Sequence, residues 1–170
     1  MVRSWSHLLR NCSNIRFVRF EETQIAGVAH KRKEIKEAQV APHEVLFEGL
    51  REEEILNLPR ETVEQLILLG EPLVFRIGSA VILGSFKIDT SKLVIELAQI
   101  EGGGEGVLMA LASLAKRYTK LRNLSEIEWI VHAVSCAKPN LKLRRVLQRR
   151  GFVISQVAGV GEAYHLIDSV

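Results

Sequence analysis

An α/β (α+β) fold built on a mixed central sheet is predicted by three features of this 170-residue chain. The first is a run of three strand-like segments between Leu73 and Ile100, closed by short turns. The second is the glycine cluster Gly102-Gly103-Gly104-Glu105-Gly106, set between the last of those strands and a helical pattern. The third is a strand, helix and closing hairpin after it, which completes an α/β order.

The elements follow in order. Ile15 to Phe20 (IRFVRF) alternates apolar and basic residues, as a half-buried strand does. Residues 30–37 are a charge run, read as a solvated helix or loop. VLFEGL, ending at Leu50, holds a short strand. Arg51 to Leu58 and Arg60 to Leu69 read as helices, separated by Pro59 and closed by Gly70. LVFRIG, VILGSFKI and KLVIELAQI are β-branched, apolar and separated by Gly78-Ser79 and Asp89-Thr90-Ser91. In the helix over 105–120, Val107, Leu108, Leu111, Leu114 and Ala115 recur at helical spacing. Glu128 to Val134 is a strand, and Asn140 to Arg150 a helix ended by Gly151. FVISQVA and AYHLIDSV form the C-terminal hairpin. The whole of 1–170 reads as a single domain.

Composition narrows the function classes. The 23 basic and 20 acidic side chains leave a net charge of +3, which permits a polyanionic partner without demanding one. Cys12 and Cys136 have neither metal-ligand spacing nor a disulfide framework, so no metal is expected and a reducing, cytoplasmic setting is. No apolar run reaches membrane-spanning length. The first twenty residues carry Arg3, Arg10, Arg16 and Arg19 with no acid; a solvated basic arm is preferred over a transit peptide.

The glycine cluster carries the chemistry. Glycines let backbone N–H groups approach an anion, and a helix N-terminus favours negative charge. Here the chain resembles the GNAT superfamily of acyl-CoA N-acyltransferases. Gln99-Ile100-Glu101-Gly102-Gly103-Gly104 is similar to that family's pyrophosphate-loop pattern Q/R-x-x-G-x-G/A. Asn140, Leu143, Leu147, Gly151 and Phe152 follow the spacing of its N-x-x-A-x-x-x-Y-x-x-x-G-F segment, and Gly84 stands where a strand glycine is common. The match covers roughly 72–170; residues 1–70 are divergent.

The resemblance implies a GNAT-like sheet, with LVIELAQI and EWIVHAV parallel and splaying apart, and coenzyme A or acetyl-CoA as co-substrate. Residues 102–106 (Gly102, Gly103, Gly104, Glu105, Gly106) would hold the pyrophosphate. Backbone near Ala98, Gln99 and Ile100, with the Asn140 amide, would hold the pantetheine arm. The acceptor would be a small-molecule or protein amine attacking the thioester directly. A homodimer is compatible with this fold. Where the family usually carries an acidic tyrosine, this chain has Leu147. A non-catalytic protein that binds coenzyme A or a macromolecule stands as the alternative.

For single residues, two readings stay open. Glu96 is either the general base or a solvent-face residue of an alternating strand, with Glu101 a second candidate base in the turn. His132 is either a proton relay or a hydrogen-bonded sheet residue. Cys136, at the end of the same strand as Ser135, reads as packing, and Tyr164 as a packed strand aromatic or a substitute acid. On the basic helix, Leu143, Val146 and Leu147 form the buried stripe. Lys142, Arg145 and Arg149 form an outer face, either solvated or facing a phosphate; nucleic acid is disfavoured as a partner.

Overall fold

The computed structural model describes residues 44–47, 49–104, 106–134 and 140–170. The expectations for 15–20, 30–37, Glu105, Ser135 and Cys136 lie outside the described residues. Among the described residues twelve elements follow one another: β1 (Val45–Phe47), β2 (Leu50–Arg51), α1 (Glu52–Asn57), α2 (Arg60–Leu66), β3 (Leu73–Ile77), β4 (Ala80–Asp89), β5 (Lys92–Glu101), α3 (Gly106–Leu121), β6 (Glu126–Val131), α4 (Leu141–Arg149), β7 (Val153–Val157) and β8 (Gly161–Ser169).

The strands form one sheet in the order β2-β1-β3-β4-β5-β6-β8-β7. Every pair in it is antiparallel except β5 with β6. That exception is required by the connection: α3 carries the chain back over the sheet, so β6 starts at the same end as β5.

The expected strand at Glu128–Val134 is shifted, starting at Glu126 and ending at Val131. The early start reflects polar Glu126 pairing with Lys92 across the ladder, which an apolar-run criterion overlooks. The early end comes from a tight turn, described below. The helix expected from Asn140 begins at Leu141, with Asn140 as its cap.

One face of the sheet carries the main core. Ile95, Leu97, Trp129 and Val131 alternate with residues of the opposite face and meet the α3 stripe of Val107, Leu111, Leu114 and Tyr118. Phe75 stacks on Phe47 at 4.5 Å between centroids and meets Phe86 edge-on at 5.2 Å. Each such buried side chain contributes about 1.5–3 kcal/mol of transfer free energy. The opposite face carries Val94, Ile130 and Ala163 as a smaller apolar group, bracketed by charged residues.

Candidate functional site

The centre of the molecule is the place where the parallel pair parts. Pairing of β5 with β6 runs from Lys92↔Glu126 to Leu97↔Val131. One further bond, from His132 N–H to the Leu97 carbonyl at 2.9 Å, closes the ladder. Beyond it β5 continues to Glu101, paired on its other edge with β4. Ala98, Gln99 and Ile100 therefore present backbone along an edge that β6 has left.

Two local devices cause the parting. On β5, the register against β4 jumps from Gly84↔Leu97 to Leu83↔Gln99, so Ala98 is the extra residue of a β-bulge. Gly84 is needed opposite it, because a Cβ there would lie 2.8 Å from the Glu96 carbonyl oxygen. On β6, Ala133 N–H donates to the Val131 carbonyl at 2.9 Å, turning the chain sharply away. Arg144 of α4 holds that turn: its Nε donates to the Ala133 carbonyl at 2.8 Å and its second guanidinium nitrogen to Val134 at 2.6 Å.

At the lip of the gap stand Glu96 and His132. His132 Nε2 lies 2.6 Å from Glu96 Oε1, and the two side chains are 8% and 13% exposed. Glu96 lies on the sheet face opposite the main core, as an alternating strand places it, with its carboxylate against the His132 imidazole. The contact is a hydrogen bond between the carboxylate and Nε2 of the ring. Farther down the same face, Glu128 accepts from Lys92 Nζ at 2.5 Å and from His165 Nε2 at 3.0 Å. Burial raises the Glu128 carboxyl, but the Lys92 and His165 hydrogen bonds outweigh it and hold it below the ordinary carboxylate value.

The glycine turn follows directly on β5, and its glycines differ in kind. Gly102 and Gly103 have φ of 71° and 72°. A Cβ on Gly103 would meet Val107 Cγ2 at 2.6 Å and Ala80 Cβ at 2.7 Å, so it is required for packing against the β3–β4 turn. Gly104 has open space and an ordinary φ, and its carbonyl accepts from Val107 N–H at 3.2 Å as α3 begins at Gly106. Gln99 Nε2 donates to the exposed Glu101 carboxylate, so both belong to a surface pair.

Asn140 Oδ1 accepts from Leu143 N–H at 3.0 Å and caps α4, which leaves the amide NH2 as the part of Asn140 that a ligand can use. Leu147 is fully buried in the main core and Tyr164 is 2% exposed in the same cluster. Position 147 thus points into packing rather than into the gap, and Tyr164 is a packed aromatic.

The Glu96–His132 pair was read as two separate residues, yet a signal for it existed. Lys92–Glu128 and Glu96–His132 share a sequence separation of 36. Complementary polar residues repeating at one offset mark the register of two strands. Arg144 carried no sequence signal beyond its position between Leu143 and Val146, which places it near the inner edge of the helix.

No family model and no curated protein matches the chain. Among solved structures, it is similar over 56% of its length to a chain of the NatC complex bound to Gag peptide and CoA, at 16% identity and a TM-score of 0.35. It spans 63% of that chain. It is similar over 58% of its length to Ard1 from Thermoplasma volcanium, at 14% identity and a TM-score of 0.31, spanning 70% of that chain. The fold reading rests on the sheet's own order and register rather than on these overlaps. An antiparallel meander, one parallel pair parting at a bulge, a glycine turn into the crossing helix and a closing hairpin make the described residues GNAT-like in fold.

Proposed function

We propose that the chain is an acyl-CoA-dependent N-acyltransferase that moves acetyl from acetyl-CoA to a primary amine by direct attack. The observation that carries this reading is the parting of β5 from β6 with a nearly buried carboxylate–imidazole pair at its lip. The gap suits an extended amide-bearing arm. Backbone groups of Ala98 to Ile100 pair with such an arm as a missing strand would, and the Asn140 amide NH2 adds a donor. The turn at Gly104, opening into α3, suits a pyrophosphate.

Acetyl-CoA supplies the activated acyl group when bound. Glu96 accepts the proton of the attacking amine, and His132, hydrogen-bonded to it through Nε2, fixes the carboxylate in place. Leu147, which stands where the resemblance places a tyrosine, is buried and has no proton to give. The leaving thiol has a pKa of about 8.5, so its thiolate departs unassisted, only more slowly. That last feature favours one second reading, a GNAT-like protein that binds coenzyme A without turnover.

Release of free thiol from acetyl-CoA over a panel of primary amines separates the two. The first reading predicts amine-dependent thiol release that falls about 10²-fold in Glu96→Gln. Tight acetyl-CoA binding with no thiol release for any amine would establish the second.

A further inference from the structure

Backbone that leaves a ladder needs new partners. Pairing of β5 with β6 ends at Leu97↔Val131. Past that point a single backbone bond, from Ala133 N–H to the Val131 carbonyl, bends the chain. Ala133 is buried, and a buried carbonyl outside a ladder must find its donor elsewhere.

The donor is Arg144. Its Nε meets the Ala133 carbonyl at 2.8 Å and its Nη2 the Val134 carbonyl at 2.6 Å. A guanidinium presents its donors in a fixed fork, and its charge strengthens both bonds. Successive carbonyls of an extended strand point to opposite sides, so one fork holds both only while the chain is turned. The clamp is therefore incompatible with a β6 that runs on straight beside β5.

Arg144 is itself anchored. Asn140, Arg144 and Leu147 recur at helical spacing and share a face of α4. Arg144 N–H donates to the Asn140 carbonyl at 3.1 Å, Asn140 Oδ1 accepts from Leu143 N–H, and Leu147 is fully buried. The helix end that carries the Asn140 amide NH2 is thus the one that keeps β6 turned away.

We infer that Arg144 is a positioning residue: it holds the end of β6 off β5, so that the gap stands open before a ligand enters. A gap built open costs a ligand nothing to form, whereas one open in only a fraction of molecules weakens apparent affinity by that fraction. The inference rests on the acyl-CoA reading for the identity of the ligand, but not for the clamp.

Two variants of the full chain test it. Arg144→Met removes every donor, and Arg144→Lys keeps the charge without the fork. Amide hydrogen exchange needs no ligand. In Arg144→Met the Ala133 amide should exchange about tenfold faster, while the Ile95 and Trp129 amides keep their wild-type rates. Calorimetric affinity for coenzyme A should fall about tenfold, as it does when the open fraction drops to about one in ten. KM for acetyl-CoA should rise by a similar factor with kcat within about twofold, because a filled gap is already open. Arg144→Lys should recover only part of the loss, and it carries the same measurements if Arg144→Met does not fold. Unchanged exchange at Ala133 overturns the clamp. Equal affinity of wild type and variant, a loss confined to kcat, or full recovery in Arg144→Lys overturns the positioning role. If wild type does not bind coenzyme A, the acyl-CoA reading falls, and exchange at Ala133 alone decides the clamp.

Discussion

At the scale of single residues, the consequential pair is Glu96 and His132. Held at 2.6 Å and nearly buried, they act as one unit, and groups that act as one unit are non-additive when removed. Glu96→Gln and His132→Asn should each lower acetyl transfer, and the double variant should cost little more than the worse single. Multiplying losses, measured as a double-mutant cycle on kcat/KM, would show that the two work separately. The pair escaped residue-by-residue reading because each member has an ordinary structural explanation alone. Only the parallel register brings them together.

At the scale of elements, α4 does more than cover the core. Its cap Asn140, its inner guanidinium Arg144 and its buried Leu147 fix, in turn, its start, the turn after β6 and its seat against the sheet. Because Leu147 is fully buried, a phenol there meets close packing rather than a thioester. Leu147→Tyr is expected to destabilise the fold by about 1–3 kcal/mol, as overpacked cores do, and to leave turnover no higher. Denaturant unfolding and the thiol-release rate check both halves; a faster enzyme of unchanged stability would contradict the burial argument. Helix and strand identities from Leu73 onward were legible because their periodicities are clean. Strand ends were not, since β6 stops at a backbone hydrogen bond from Ala133 to Val131 that leaves no trace in residue type.

At the scale of the whole molecule, polar pairs on the second face stitch β5, β6 and β8 together, and they give stability a defined pH dependence. The folded-state pKa of Glu128 lies below its ordinary 4.5, so its contribution is present above that value and is lost as pH falls through the lowered one. Lys92, raised above 10.5 by its hydrogen bond to Glu128, contributes fully below 10.5 and loses its contribution as pH rises through the raised value. Glu128→Gln should therefore lower the melting temperature at neutral pH and flatten the acid limb of the stability curve. An acid limb unchanged from wild type would show that the pair is not coupled to folding. The antiparallel run of strands from Leu73 and the glycine turn were readable from the chain, whereas the place of Gly84 came only through the family resemblance. The division of labour among the glycines was not legible, because Gly103 and Gly104 differ only in what surrounds them.

Calorimetric titration with coenzyme A is the most direct measurement of the central claim, because it needs no knowledge of the acceptor. Wild type should bind. Gly104→Glu, which has room for its side chain and no backbone strain, should stay cooperatively folded. It should lose at least about tenfold in affinity, the equivalent of 1.4 kcal/mol, because a carboxylate then stands where phosphate is expected. Gly103→Ala is the structural control: its Cβ clashes with Ala80 and Val107 at positive φ, so it should lose about 1–3 kcal/mol of stability. Coenzyme A binding with equal affinity to wild type and to folded Gly104→Glu, or no binding by wild type, would contradict the account.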